Sequence, residues 1–279
     1  MMHKNLSETH IIGDDTIQYI VYADDCPSLA ARMISHVGIG DAARPYSIVR
    51  TKLSGAYLHA SLGGEGRMLL DGRWRPHNEG MVTIAPAHVL HAFHAVPNKR
   101  WQFCWVRYMP ESPRSKPGNM IPLEVNFKSE VLASAIRGLY QEMQHDRDVA
   151  STSLWIDVIE NYVTRIAEPL HREERLSKLW AHVNSDLGNR WTLEKLSGLA
   201  GVSSEQLRRM CQSRLGRSPI QQLTYLRIQH AAHLLATSGR SVEDVAQTVG
   251  YQNPFAFSNT FKRMTGFRPS HFKSRNRGR

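Results

Sequence analysis

Four side chains in the last third of the chain, Glu205, Arg208, Arg209 and Gln212, recur at i, i+3, i+4 and i+7, which places them along one face of a helix. Two guanidiniums on such a face can pair with guanine edges or with phosphates, and a carboxylate beside them can accept from cytosine while repelling phosphate. Farther on, Phe255, Ser258, Asn259 and Lys262 repeat the spacing with different chemistry: a ring, a hydroxyl, an amide suited to adenine, and one cation. Histidines form the other conspicuous set. His88, His91 and His94 fall every third residue, and His59 and His77 precede them. One or two nitrogens make a poor metal site, so these imidazoles are expected to hydrogen-bond around the mouth of a β structure, with no bound metal and no cofactor. No Ser/His/Asp nucleophile elbow and no phosphate-cradling Gly loop is present. The chain is therefore read as a non-enzyme.

The elements that must carry the two polar faces form a repeat. "GVSSEQLRRMCQSRLGRSP" and "GYQNPFAFSNTFKRMTGFRPS" share a skeleton in which Leu207, Cys211, Gly216 and Pro219 match Phe257, Phe261, Gly266 and Pro269. In the first copy Thr192 caps "LEKLSGLA", and Ser203 with Gln206 predicts a capping box for the next helix. Leu207, Met210, Cys211 and Leu215 then face inward. In the second copy Ser241 caps "VEDVAQTV", Gly250 makes the turn, and Asn253-Pro254 opens a helix whose Phe257, Thr260, Phe261 and Met264 face inward. This is helix-turn-helix logic used twice, with the packing residues kept and the outward residues changed. Between the copies, Ser218, Pro219 and Gln221 open a helix expected to run from Pro219 to Ala236. Its length, ~27 Å at 1.5 Å per residue, suits a stiff spacer between readers of major grooves ~34 Å apart.

The first half reads differently. "AYLHASLGGEGRMLLDGRWRPHNEGMVTIAPAHVLHAFH" alternates short apolar runs with Gly, Asp-Gly and Pro breaks, as a β-sandwich or barrel does. "LDGR" signals a hairpin, "WQFCWVRY" is a further strand, and "PESPRSKPGNMIP" is loop. From Ser129 the period becomes helical. Val131, Leu132, Ala135, Ile136, Leu139 and Met143 form one stripe, and Leu154, Ile156, Ile159, Val163 and Ile166 form another. These helices can cover a sheet or pair with a second subunit. A break near Pro169 marks the expected domain boundary.

Charge separates the halves. The chain's net charge is +10; residues 170–279 carry 18 Lys and Arg against 7 Asp and Glu, and residues 1–169 carry 17 against 18. A basic domain on a neutral one predicts a polyanionic partner for one half only. Three distant cysteines argue against a disulfide framework, and the sequence holds no apolar run of membrane-spanning length and no signal peptide, so a reducing cytoplasm is expected, with no membrane contact.

With these motifs assembled, the chain resembles the AraC/XylS family of bacterial transcription regulators, through "GYQNPFAFSNTFKRMTGFRPSHF", "WTLEKLSGLAGVSSEQLRRMC" and "LRIQHAAHLL". The β half is similar to that family's cupin-like sensor domain through "GGEGRMLLDGRW", "EGMVTIAPAHVLHAF" and "WQFCWVRY". The resemblance implies an α+β two-domain chain. Residues 1–168 would form a cupin-like β-barrel with flanking helices at about 129–167, and residues 172–275 an all-α double helix-turn-helix domain. It implies that Glu205, Arg208, Arg209 and Gln212 read DNA from one helix and Phe255, Ala256, Asn259 and Lys262 from the other, with Ser203 and Ser241 at the helix starts completing the contact set. Asn259 departs from the family pattern, in which Arg is common there. A small effector, such as a sugar or another carbon source, would bind in the barrel near Arg50, His91, Phe93, Phe103 and Trp105. The expected partners are double-stranded DNA with half-sites about one helical turn apart, a second copy joined through the helices at 129–167, and RNA polymerase, since activation is the commoner behaviour of the family. The alternative is a metal-dependent cupin enzyme fused to a DNA-binding module. Enzymatic cupins use His-x-His and a Glu on one strand with a later His; here the later motif keeps Gly80, Pro86 and His91, while the earlier strand offers only His59.

Overall fold

The computed structural model of the chain describes residues 9–50, 55–70, 73–85, 87, 91–115, 123–167 and 174–276. The chain divides into two compact units, one reaching to Ile166 and the other beginning at Ala167.

The first unit is a curled antiparallel sheet. Its strands are β1 (Thr9–Ile11), β2 (Ile17–Tyr22), β3 (Ile34–Ala42), β4 (Ser47–Arg50), β5 (Tyr57–Leu70), β6 (Arg73–Asn78), β7 (Met81–Ala85), β8 (His91–Ala95), β9 (Trp101–Tyr108) and β10 (Leu123–Asn126), with a short helix α1 (Pro27–Ala31) after β2. The main path runs β1-β4-β8-β5-β9-β3-β2, and β6, β7 and β10 extend it through β5. Its ends β1 and β2 are not paired with each other, so the barrel is open, a half-barrel rather than a closed one. The long strand β5 belongs to both layers: Tyr57 to Gly64 pair with β9, and Gly66 to Met68 pair with β8. Leu70 and Arg73 are paired, as the hairpin signal requires; the Asp71-Gly72 turn lies outside the described residues.

Strand alternation sends every second side chain to the concave face. Successive pairings place Tyr22, His36, Arg107 and Tyr57 in one row across β2, β3, β9 and β5. Ile20, Gly38, Trp105 and His59 form the next row, and Gln18, Gly40, Phe103 and Ser61 the third. The glycines of β3 have a steric reason. A Cβ on Gly38 would overlap the Trp105 indole, and one on Gly40 would sit 2.7 Å from the Phe103 ring. The large rings of β9 can lie across β3 only because β3 has no side chains there. Trp101, Phe103, Trp105, Tyr46, Tyr57 and Phe93 belong to this aromatic core.

Helix α2 (Glu130–Gln144) packs on β2, β3 and β9, burying Leu132, Ala135, Ile136, Leu139 and Met143. Helix α3 (Val149–Ala167) buries Thr152, Ile156, Ile159, Val163 and Ile166. Two residues of the expected stripes are corrected by the structure: Val131 is 48% and Leu154 67% exposed. Val131 sits one position off the α2 stripe, and Thr152 takes the inward position on α3 that periodicity assigned to Leu154.

The second unit is helical: α4 (Glu174–Ser185), α5 (Leu193–Ala200), α6 (Ser204–Leu215), α7 (Pro219–Thr237), α8 (Val242–Thr248), α9 (Pro254–Thr265) and α10 (Pro269–Asn276). The anticipated caps are formed. Thr192 Oγ1 accepts from Lys195 N, Ser218 and Gln221 make a full capping box, and Asn253 Oδ1 accepts from Phe255 N and Ala256 N. Ser241 makes a second box with Asp244. The expected Ser203–Gln206 box is only half made: Ser203 Oγ accepts from Gln206 N, without a return bond from the Gln206 side chain. The linker near Pro169 lies outside the described residues. Cys26, Cys104 and Cys211 are all buried, and none of them is in a disulfide.

Candidate functional site

Each helix-turn-helix presents one exposed face because its opposite face is the core. On α6, Leu207, Cys211 and Leu215 are buried, and Glu205, Arg208, Arg209 and Gln212 are exposed. On α9, Phe257, Phe261 and Thr265 are buried, and Phe255, Ala256, Asn259 and Lys262 are exposed, Ser258 only partly. Phe255 is 81% exposed, far more than any other aromatic ring among the described residues that face solvent. The ring therefore adds little to the core of this unit and is open to contact from outside. Glu205 Oε2 lies 3.7 Å from Arg208 Nη1 on the same face, an exposed i,i+3 pair that aligns the guanidinium more than it stabilises the fold. Ser203 and Ser241 each use an Oγ lone pair in their caps, which leaves the hydroxyl proton able to donate to an anion at the helix start.

The two copies are locked to one frame by the α7 helix. Arg227 donates from Nε to Leu187 O at 3.1 Å and from Nη2 to Asn189 O at 2.7 Å, and its guanidinium lies 5.9 Å from the centre of the Tyr251 ring. Gly250, at φ +84°, makes the turn between α8 and α9. A Cβ there would stand 2.5 Å from Arg227 Nη2 and 2.8 Å from Leu187 O, so glycine is required by both the backbone and the packing.

The concave face of the half-barrel encloses a cavity of about 100 Å³. All five residues anticipated at an effector site, Arg50, His91, Phe93, Phe103 and Trp105, line it. Polar residues that the sequence reading did not assign to it line it too, among them Gln18, His36, Tyr46, Tyr57, His59 and Arg107. Arg107 was within reach of sequence reasoning, because alternation along "WQFCWVRY" puts it on the same side as Phe103 and Trp105.

The polar groups gather at one end. Arg107 adjoins His36 and Tyr57 in register, Tyr57 stacks on His91 with ring centres 4.9 Å apart, and His91 is paired with Arg50 across β8 and β4. Burial, with Arg50 adding to it, lowers the His36 pKa to about 4. Burial also holds His59 well below the ordinary histidine value, and His77 adds to that. These two rings are neutral at neutral pH, and the two arginines are permanent cations of the cavity. Burial raises the Tyr57 pKa well above the usual phenol value, with Tyr46 raising it further and Arg50 opposing.

Most of the described histidines of the half-barrel core are engaged in hydrogen bonds or ring packing. His77 is committed: its Nδ1 is 2.6 Å from Ser61 Oγ, its Nε2 is 2.9 Å from Thr83 Oγ1, and Trp101 Nε1 donates to the same Ser61 Oγ at 2.7 Å. His94 Nδ1 donates to Ala95 O at 3.0 Å. His59 is packed among the rings of Phe93, Trp101 and Phe103. Among the described residues no three His, Cys, Asp or Glu side chains converge on a point that could hold a metal; His88 and Pro86 lie outside the described residues.

Two family models match the chain: an AraC-like ligand binding domain over residues 36–157 and a helix-turn-helix domain over residues 196–275. The MmsAB operon regulatory protein of Pseudomonas aeruginosa is 34% identical over 100 residues, covering 36% of this chain and 33% of that protein. The HTH-type transcriptional activator RhaR of Klebsiella pneumoniae is 31% identical over 116 residues, covering 42% of this chain and 41% of that one. An uncharacterized HTH-type transcriptional regulator of Escherichia coli, YidL, is 24% identical over 207 residues, covering 70% and 66%. The matched regions thus span from about a third to about two-thirds of these relatives' lengths. No helix among the described residues is long and apolar enough to cross a membrane.

Proposed function

Since the chain belongs to the AraC family of transcription regulators, its two matched domains in the family's order, we propose that it is a cytoplasmic, sequence-specific DNA-binding regulator controlled by a small effector in the half-barrel. The observation that carries this reading is the pair of exposed faces on one shared scaffold: equivalent positions are buried in both copies, and the outward positions differ in chemistry. In the first, Arg208 and Arg209 suit guanine and Glu205 suits cytosine. In the second, Asn259 suits adenine, and Phe255 and Ala256 suit the thymine methyl. Ser203, Ser241, Gln212 and Lys262 hold the register through phosphate contacts. The spacer α7 has 19 residues, ~28 Å at 1.5 Å per residue, which favours half-sites about one helical turn apart.

The exposed apolar residues Val131, Leu154, Trp155 and Val158 on α2 and α3 support pairing with a second copy through those helices. Activation, with RNA polymerase as partner, accords with the named activator among the relatives. A non-enzymatic role accords with histidines engaged in core packing and hydrogen bonds.

Selection of the purified protein against a randomised DNA pool, repeated with Arg209→Ala and Asn259→Ala, tests the reading. Two short motifs are expected, each relaxed by one substitution at a cost of ~1–3 kcal/mol per bidentate contact. Enrichment of no motif, with and without candidate effectors, would refute sequence-specific binding.

A further inference from the structure

Charge inside a protein demands a partner. A guanidinium withdrawn from water without an anion nearby loses hydration that nothing returns. Arg107 is 8% exposed and Arg50 half-buried, and both line the half-barrel cavity. No lining residue is an Asp or Glu, and neither guanidinium has a hydrogen bond or ion pair among the described residues. Several other arginines of this unit contrast with them: Arg32 pairs with Asp157, Arg67 with Glu65, and Arg100 with Asp41. Two further donors are left over in the same cavity. The Tyr57 hydroxyl and both ring nitrogens of His59 are buried without hydrogen-bond partners. Tyr46 does receive a bond at its hydroxyl, from Gln18 Nε2 at 3.2 Å, so its own proton remains available.

The opposite wall is apolar: Ile20, Ile48, Phe93, Phe103 and Trp105. The cavity therefore has a cationic, donor-rich end and a carbon-lined floor. A neutral sugar would bring hydroxyl donors to a site already short of acceptors. A bare inorganic anion would leave the floor empty. A carboxylate matches the planar fork of a guanidinium with two parallel hydrogen bonds, and an attached carbon chain fills the floor. The volume sets its size. At about 100 Å³ the space is smaller than the ~150 Å³ that admits benzene in an engineered cavity, which suits a skeleton of about three to five carbons.

We propose that the effector is a short organic carboxylate whose head is clamped between Arg50 and Arg107 and whose carbon chain lies on Phe93, Phe103 and Trp105. This rests on the effector-sensing reading above and adds the ligand's chemical class. His36 and His59 serve as neutral donors or acceptors, and the two arginines supply permanent positive charge.

Calorimetric titration of the full chain with propanoate, butanoate, pentanoate and octanoate, beside pentanamide, glucose and inorganic phosphate, tests it. Pentanoate or butanoate is expected to bind best, with pentanamide weaker by roughly tenfold or more, the loss of charge-assisted bonds. Octanoate is expected to fall off because the floor is too short. Arg50→Gln should weaken the acids by a similar factor and leave pentanamide unchanged; the acid–amide comparison on the unaltered protein stands even where a variant folds poorly. Equal binding of acid and amide, preference for glucose or phosphate, or no binding of any acid would overturn the proposal. The DNA selection is read separately, so a motif enriched without acid binding would remove the ligand class and leave the regulator reading in place.

Discussion

Lowering the pH from 7 to 5 is expected to destabilise the half-barrel by about 4 kcal/mol, and the reason is its neutral histidines. An unfolded histidine titrates near 6.5. In the folded chain burial lowers His36 to about 4 and His77 to about 3. Between these values and 6.5 the unfolded state binds more protons than the folded one, so stability rises with pH across that window. It is fully present above 6.5 and is lost as pH falls toward 4 and then 3. At pH 5 each of the two groups has crossed 1.5 units of its window, about 2 kcal/mol apiece. His59 acts in the same direction. The depressed carboxylates of the chain, Glu65, Asp148, Glu194 and Asp244, act below their unfolded values, near pH 4, and so do not compete at pH 5. Urea unfolding at pH 7, 6 and 5, for the unaltered chain and for His36→Gln, isolates the effect: the variant should lose about 2 kcal/mol of the pH dependence between pH 7 and 5. A variant with the full slope, or an unaltered chain equally stable at pH 7 and 5, would refute the assignment of buried neutral imidazoles.

Gly38→Ala is expected to destabilise the half-barrel by about 1–3 kcal/mol in the same assay, because its Cβ must displace the Trp105 indole from β3; it should also weaken any ligand resting on that ring. Phe255→Ala should leave stability within about 0.5 kcal/mol, since the ring is 81% exposed, yet erase base preference at one position of a selected motif. Leu154→Asp, on the exposed face of α3, should shift sedimentation toward the monomer without changing helix content. Glu205→Gln should raise affinity for random DNA measured by fluorescence anisotropy, lowering the ratio of specific to nonspecific binding, because a carboxylate that repels phosphate has been removed.

Within the helical unit, helices α5 to α9 were legible in the sequence almost to the residue. Their signals are local: caps such as Thr192, Ser218 and Asn253, turn glycines such as Gly201 and Gly250, and an apolar period repeated in two copies. Those features act within a few residues, so composition exposes them. The half-barrel was less so. The strands β1 to β4 and β10 escaped notice because they are short or carry glycines, as in "ISHVGIGDA", where Gly38 and Gly40 break the alternation that marks a strand. Those glycines make sense only once Trp105 and Phe103 are seen lying over them. The cavity was half visible. Aromatic residues flagged Phe93, Phe103 and Trp105, and a resemblance flagged Arg50 and His91. His36, Tyr57 and Arg107 reach the same end of the cavity through pairings between strands distant in sequence, which no window of residues displays. Helix α4 was passed over because its apolar residues Leu176, Leu179, Trp180 and Val183 follow directly on the charged run "HREER".

The buried positions of the two copies are interchangeable in kind, Leu207 and Cys211 against Phe257 and Phe261, so stability places little constraint on the outward residues. Those residues are then free to diverge in what they recognise, and they have diverged in charge as well as in hydrogen-bond pattern. The α6 face carries two arginines and a carboxylate; the α9 face carries one lysine, an amide and a bare ring. Arginine pairs are strong on guanine and on phosphate alike, whereas Asn259 and Phe255 reward only the right base and add little long-range attraction. The expected operator is accordingly lopsided, with a G·C-containing half-site under α6 that supplies most of the affinity and an A·T-containing half-site under α9 that supplies discrimination. Salt dependence separates phosphate contacts from base contacts: Lys262→Ala should flatten the decline of affinity with salt, a lost phosphate contact removing ~0.9 from the slope, and Asn259→Ala should leave that slope as it was.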